Sequence, residues 1–131
     1  MLKLARGILD EIVAQARREA PVEACGYLGE NDGVAVSAIP LRNVDASPEH
    51  FSLDPAEQFA AVRKLRSEAL KLRAVYHSHP ASPARPSAED IRLAHDPSLS
   101  YVIISLLGKD PSVKSFRIQN GTATGEEIEI V

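Results

Sequence analysis

The chain has 131 residues, of which 44% are hydrophobic and 25% charged, and this composition predicts one folded domain over residues 1–131. Its formal net charge of −3 gives no sign of the overall basic charge expected of a protein that binds nucleic acid. Its single cysteine excludes an internal disulfide and a zinc site built from several cysteines.

The segment before Pro21 predicts an amphipathic helix, because apolar residues recur at every fourth position. These residues are Leu4, Ile8, Ile12 and Ala16. The segment has early acidic residues and no long apolar core, so it does not resemble a signal peptide. No apolar run approaches the roughly 18 residues that cross a bilayer. We therefore expect a cytoplasmic protein that does not contact a membrane.

A hairpin and a second helix are predicted next. The segments "ACGYLGE" and "VAVSAIPL" flank the turn sequence "NDG", which is typical of a β-hairpin. In "FSLDPAEQF", Asp54 is the expected N-cap, Pro55 the first helical residue and Glu57 the partner that completes a capping box. We expect this helix to end near Leu70. Its predicted apolar side consists of Phe59, Val62, Leu65 and Ala69.

The second half of the chain alternates between β-rich and helical segments. "AVYHSH" predicts a strand, and after a proline-rich loop "SAEDIRLAHD" predicts a short helix with Ser87 as its N-cap. "YVIISLL" is typical of a buried strand, and "VKSFRI" and "EEIEIV" alternate as strands do. The whole pattern predicts an α/β fold with a mixed sheet and two or three helices.

Two histidines on the strand "AVYHSH" favour a metal site. Residues two apart on a strand project from one face, so His77 and His79 can present two imidazoles to one ion. Catalytic zinc usually has three protein ligands and an open water position. Asp90 is the natural third ligand, and Glu89 is its rival on the next position of the helix. Without a metal, the histidines would be ordinary surface or core residues.

A zinc site that hydrolyses an amide also needs a carboxylate that does not bind the metal. Zinc lowers the pKa of its bound water to about 7, but a base must still take a proton and return it to the leaving amine. Glu23 is the candidate, because it lies just after the first helix ends and before a predicted strand. Glu19 and Glu30 are alternatives.

The spacing His-x-His-x7-Ser-x2-Asp, from His77 to Asp90, resembles the signature of the JAMM (MPN+) zinc metalloproteases. The order of elements is similar too: a helix, "PVEACG", a hairpin, a "FSLDP" helix start and then the motif strand. The resemblance covers essentially the whole chain and favours Glu23 over the other two glutamates. The chain also lacks long insertions, which points to the compact prokaryotic type.

This resemblance implies both a fold and a mechanism. The fold would be a single MPN-like domain with a mixed curved sheet and a cytidine-deaminase-like layout. One Zn²⁺ per chain would be bound by His77, His79 and Asp90. Glu23 would act as general base and acid through the metal-bound water, and Ser87 would donate a hydrogen bond to the oxyanion, an interaction worth about 3 kcal/mol.

The implied reaction is hydrolysis of the peptide or isopeptide bond after the C-terminal Gly-Gly of a ubiquitin-like or sulfur-carrier protein. The tail would add as a strand beside the active site. Two other functions remain open at this point: a non-catalytic MPN scaffold that binds partner proteins, and a zinc hydrolase of a small amide. The oligomeric state is not fixed by the sequence.

Overall fold

A computed structural model describes the whole chain, Met1–Val131. Three helices are present: α1 (Arg6–Glu19), α2 (Pro55–Ser67) and α3 (Ala88–Leu93). The strands are β1 (Leu2–Leu4), β2 (Cys25–Asn31), β3 (Val34–Leu41), β4 (Lys71–His79), β5 (Ser100–Ser105), β6 (Ser112–Gln119), β7 (Thr122–Glu126) and β8 (Ile128–Ile130).

All the strands belong to one mixed sheet in the order β7-β6-β5-β4-β2-β3-β1-β8. The pairs β4–β5, β1–β3 and β1–β8 are parallel, and the other neighbours are antiparallel. Only Glu127 separates β7 from β8, although these strands lie at opposite ends of the order. The sheet must therefore curve until its two ends approach each other, which gives a nearly closed barrel. We propose that residues 1–131 form one domain, because this sheet includes strands from both ends of the chain.

The main core lies between α1 and the sheet. Ile8 and Ile12 of α1 pack with Leu2 and Leu4 of β1, and with apolar residues of β2, β4 and β5. A second, smaller cluster lies under α2. Its buried members are Cys25, Tyr27, Leu41 and Ala61. Strands β2 and β4 contribute residues to both clusters or to the partly buried residues packed against them. Strand β4, which carries the two histidines, is therefore packed on both faces.

The predicted first helix is wrong at its start. The chain begins as strand β1, and α1 starts only at Arg6. Leu4 is fully buried, as the helical pattern required, but it is buried because β1 pairs with β3 and β8. A strand of three residues cannot display a period of its own, so the helical period of α1 masked it.

The second helix also differs from its prediction. It ends at Ser67 rather than near Leu70, and Asp54 occupies the N-cap position without a side-chain cap bond. Glu57 forms no capping box, because its Oε1 accepts a hydrogen bond from the backbone N–H of Arg42, 2.6 Å away. Phe59 is 64% exposed, and the buried residues of the helix are Ala61 and Leu65.

The remaining elements agree with the sequence, with one addition. The hairpin, the histidine strand, the short helix capped by Ser87 and the buried strand β5 are all present. Strand β7 was not predicted, since "TATGE" carries almost no apolar residues. No helix is both long enough and apolar enough to span a membrane.

Candidate metal centre

The two histidines lie at the carboxyl end of β4, where both neighbouring strands are still paired. His77 is opposite Cys25 of β2, and His79 is opposite Ser105 of β5. Both imidazoles are buried, with side-chain exposures of 4% and 5%. The side chain of the intervening Ser78 instead accepts a hydrogen bond from the backbone N–H of Ala24 at 2.8 Å. The alternation of a strand therefore places both imidazoles on one face, as predicted.

Helix α3 brings Asp90 to the two histidines. The Ser87 hydroxyl accepts from the Asp90 backbone N–H at 3.0 Å, and Asp90 Oδ2 accepts from the Ser87 backbone N–H at 2.9 Å, which completes a capping box. The same Oδ2 lies 3.1 Å from His77 Nε2 and 3.2 Å from His79 Nε2. The cap thus fixes the rotamer that points the carboxylate at β4.

The three donor atoms have the spacing that a tetrahedral ion requires. The two Nε2 atoms are 3.1 Å apart, so all three separations are 3.1 to 3.2 Å. Ligands about 2.0–2.1 Å from a tetrahedral zinc lie about 3.3–3.4 Å from each other. The two nitrogens and the carboxylate oxygen are nearly buried. They therefore form a donor set that fits zinc with small changes in the distances between them.

Two neighbours orient the imidazoles. The carbonyl oxygen of Pro83 lies 2.8 Å from His79 Nδ1 and can only accept, so Nδ1 carries the proton and Nε2 offers its lone pair when the ring is neutral. The ring of Phe51 stacks on His77 with 4.7 Å between centroids and 30° between planes. Both contacts favour the ring orientations that a metal ligand needs.

The charges in the cluster favour a cation. Burial raises the pKa of Asp90, but hydrogen bonds from His77 and His79 outweigh burial and hold that pKa well below its usual range. Burial lowers the pKa of His79, and its bonds to Asp90 and to the Pro83 carbonyl outweigh that effect and raise the pKa. Without a metal, the carboxylate therefore favours a proton on the His79 imidazole, and a divalent cation can replace that proton.

Glu23 lies beside this cluster, on the chain just before β2. The ladder of β2 and β4 ends where Cys25 pairs with His77, and a backbone bond from the Ser78 N–H to the Ala24 carbonyl extends that register toward Glu23 and His79. Glu23 is 2% exposed, and its Oε1 has no hydrogen-bond partner. Burial raises its pKa to about 8, against a lowering effect of His79. A buried carboxyl without a partner costs stability, which is typical of a functional group.

Residues 5–119 match the family described as prokaryotic homologs of the JAB domain. The chain belongs to this prokaryotic JAB family. It is thereby one of the compact prokaryotic JAMM/MPN proteins that the histidine and aspartate spacing indicated.

Two curated relatives of this prokaryotic JAB protein are similar over its whole length. The CysO-cysteine peptidase of Mycobacterium tuberculosis is 35% identical over 100% of this chain and 92% of its own. The probable TtuB-protein conjugate cleaving protease of Thermus thermophilus is 39% identical over 100% of this chain and 82% of its own. Both relatives are peptidases, which confirms the expected enzyme class.

Solved structures confirm the fold. A protein of Desulfitobacterium hafniense superimposes with a TM-score of 0.91 and 48% identity, covering 100% of this chain and 93% of that one. A JAB1/MPN domain protein of Archaeoglobus fulgidus has a TM-score of 0.69 and 24% identity, covering 99% and 97% of the two chains. The predicted α/β, MPN-like architecture with a mixed curved sheet and three helices is therefore confirmed.

The other candidate glutamates of the JAB domain differ from Glu23 in position and partners. Glu30 lies toward the other end of β2 and pairs with Arg73 at 3.8 Å, and Glu89 points toward Arg92, 3.6 Å away. Glu19 ends α1. Of the glutamates considered, only Glu23 is both buried and without a partner on one carboxylate oxygen.

Ser87 is exposed and lies one position before α3 begins. Its hydroxyl oxygen accepts the cap bond from Asp90, which leaves its own proton free to be donated to another group. The cap role and the expected oxyanion role are thus compatible in one hydroxyl. His50 pairs with Asp45, and His95 lies beyond the end of α3, so neither joins the cluster.

The sequence did not single out Phe51 or Pro83, which contact the two histidines. The segment "FSLDP" indicates only a helix start in the expected order of elements, and this is the available signal for Phe51. A cavity of about 250 Å³ opens beside His77 and Asp90, between β2, β4, β5, β6, α2 and α3. Its apolar lining includes Tyr27, Phe51, Leu53, Val75, Leu93 and Ile103.

Proposed function

We propose that this chain is a zinc-dependent peptidase or isopeptidase that hydrolyses the bond after the C-terminal Gly-Gly of a ubiquitin-like or sulfur-carrier protein. The observation that carries the proposal is the convergence of two imidazole nitrogens and one carboxylate oxygen, at 3.1 to 3.2 Å, beside a buried carboxyl without a partner. The substrate class is supported by the relatives, whose names specify CysO-cysteine and TtuB-protein conjugates.

In this proposal His77, His79 and Asp90 hold one zinc ion per chain. When bound, zinc supplies Lewis acidity and lowers the pKa of water to about 7. The protein contributes a site that is nearly closed to solvent, and in such surroundings electrostatic interactions are stronger than in water. The negative charge of Asp90 also neutralises part of the positive charge of the ion.

Glu23 and Ser87 supply the proton chemistry. Glu23 takes a proton from the attacking water and returns it to the leaving amine, a task for which a carboxyl with a raised pKa is suited. Ser87 donates its hydroxyl proton to the developing oxyanion. The two groups come from different segments, since Glu23 lies just before β2 and Ser87 is the N-cap of α3.

The substrate tail cannot join the sheet at β4, because β2 and β5 already pair with both of its edges. The expected strand addition beside the active site therefore does not use the motif strand. The cavity beside His77 instead offers an apolar wall, on which chain flanking the scissile bond can lie.

Metal content is the first test. We expect about one zinc per chain in the purified protein, and loss of zinc in His77→Ala and Asp90→Ala, by elemental mass spectrometry. His50→Ala is the matched control and should keep its zinc, since the only side-chain hydrogen bond of His50 is to Asp45. A protein that takes up no zinc when it is supplied would exclude the catalytic proposal and favour a scaffold.

The cytoplasmic location stays a prediction.

Cleavage is the second test, with a Gly-Gly-tailed carrier joined to cysteine or to a lysine side chain. Glu23→Gln should retain zinc and lose at least about 100-fold in kcat, the range of general acid–base catalysis. Glu30→Gln, at the other end of β2, should be nearly as active as the original chain. Undiminished turnover by Glu23→Gln would remove Glu23 from the mechanism. Turnover of a short amide, with none of any carrier conjugate, would favour the small-amide hydrolase.

A further inference from the structure

Asn43 is a buried amide in the loop between β3 and α2, with 6% exposure. Its Nδ2 donates to the carbonyl oxygens of Glu23 at 3.1 Å and His50 at 2.9 Å, with a third, longer contact to Ser47 at 3.4 Å. Its Oδ1 accepts from the backbone N–H groups of Asp45 at 3.2 Å and Ser52 at 3.1 Å. The side chain therefore uses all its polar atoms on backbone groups.

These bonds join the two segments that flank the metal centre. On one side is the backbone of Glu23, which is also held by its own N–H donating to the Ser47 carbonyl at 2.9 Å. On the other side are the residues adjoining Phe51, whose ring stacks on His77. Glu23 precedes the first residue of β2, so the sheet ladder ends beside it and the loop of Asn43 holds its other side.

We propose that Asn43 is a positioning residue for catalysis, which fixes Glu23 against the donor atoms of His77, His79 and Asp90. No hydrogen bond to Oε1 orients the buried carboxyl of Glu23, so its position depends the more on how its backbone is held. Displacement of a catalytic group by about 1 Å can cost roughly 100-fold in rate. This inference rests on the proposed role of Glu23.

The test is a double-mutant cycle on the zinc-loaded chain, with a carrier–Gly-Gly–cysteine conjugate as substrate. We expect Asn43→Ala to keep its zinc and its KM within about twofold while kcat falls about 10- to 100-fold. In a Glu23→Gln background the same substitution should cause no further loss, because Asn43 acts through Glu23. An equal loss in both backgrounds, or loss of zinc, would overturn the proposal.

Gln15→Ala is the matched control. Gln15 is also a buried amide, and its Nε2 donates to the Cys25 carbonyl at 3.1 Å from the α1 side of β2. Its removal should lower stability and leave kcat per folded molecule within about twofold. If Gln15→Ala lowers kcat as much as Asn43→Ala does, loss of any buried amide near β2 explains the effect, and the proposal fails.

A second variant and a second readout make the test independent of folding defects and of the substrate. Asn43→Asp can keep the two acceptor bonds but loses the donations to the carbonyls of Glu23, His50 and Ser47. In either variant, hydrogen exchange of the Glu23 amide should accelerate at least about 10-fold, while the Ala24 amide, bound to Ser78, stays protected. Unchanged protection of Glu23 would overturn the inference. If exchange is accelerated in the Asn43 variants but Glu23→Gln is fully active, the proposed function assigns the wrong base.

Discussion

Glu23 combines deep burial with an oxygen that has no hydrogen-bond partner. Such a group lowers the stability of the folded chain, because its ionised form loses hydration without gaining a partner. The sheet nevertheless places it opposite His79, where a positive charge would compensate for that loss. The carboxyl is therefore better suited to the metal-loaded state than to the metal-free one.

We predict a pH effect on the metal-free protein that Glu23→Gln abolishes. Burial raises the pKa of Glu23 to about 8 from 4.5, so the folded state binds its proton more tightly than the unfolded state does. The contribution of Glu23 to stability therefore falls as pH rises from about 5 to 8, by at most about 1.4 kcal/mol per pH unit. Urea unfolding after chelation should show the variant gaining stability relative to the original chain over this interval. A difference that does not change with pH would contradict the raised pKa.

Helix α3 has only six residues, and none of them is buried. A helix this short is not stable on its own propensity. Asp90 links it to β4, because Asp90 Oδ2 both accepts the Ser87 N–H and lies close to the two histidines. The folding of α3 and the occupation of the metal site therefore share one oxygen atom.

We predict that zinc protects α3 from hydrogen exchange. The amides of Ser87, Asp90 and Ile91 should exchange more slowly in the zinc-loaded chain than after chelation, because the ion fixes the carboxylate that caps the helix. The amides of α2 serve as the internal control and should not change, because α2 forms no hydrogen bond with Asp90. Equal exchange of α3 with and without zinc would show that the helix is ordered independently of the metal.

Local patterns predicted the elements that carry the candidate ligands. The alternation of β4 and the cap of α3 depend on residues within a few positions of each other, so the sequence alone places His77, His79 and Asp90 correctly relative to their elements. Glu23 required the order of elements as well. Its burial and its register opposite His79 depend on pairing with a strand far along the chain.

The errors have the same physical origin. Leu4 belongs to a strand because of partners near residues 35 and 130. Glu57 caps no helix because the Arg42 amide takes its carboxylate. Asn43 has no recognisable local signal, since a polar residue in a loop is ordinary until its buried partners are known. Long-range contacts, which leave no period in the sequence, account for each of these cases.

At the scale of the whole molecule, a polar cluster stabilises one end of the curved sheet. The carboxylate of Glu126, at the end of β7, accepts hydrogen bonds from the hydroxyls of Ser100 on β5 and Ser115 on β6. Its side chain is only 8% exposed. Burial raises its pKa, and the two serine bonds outweigh that effect and lower it. Three strands thus converge on one carboxylate just before the chain passes to the other end of the sheet.

We predict that Glu126→Ala lowers the free energy of unfolding by about 1–3 kcal/mol, because two buried hydroxyls lose their acceptor. Glu129→Ala, on the exposed side of β8, is the matched control and should change it by less than about 0.5 kcal/mol. Urea unfolding at pH 7 measures both. Equal effects of the two substitutions would mean that the cluster does not stabilise the sheet.

The curvature of the sheet also has a consequence for biosynthesis. Leu2 pairs with Ile128, so a residue that is synthesised early must wait for one that follows 126 positions later before that pair can form. The hairpin of β2 and β3, and the strands that carry the metal ligands, are all synthesised earlier. Contacts between distant positions form slowly. A nascent chain can therefore assemble the candidate metal site while β1 still has an open edge, and we expect the pairing of β1 with β8 to form after that site.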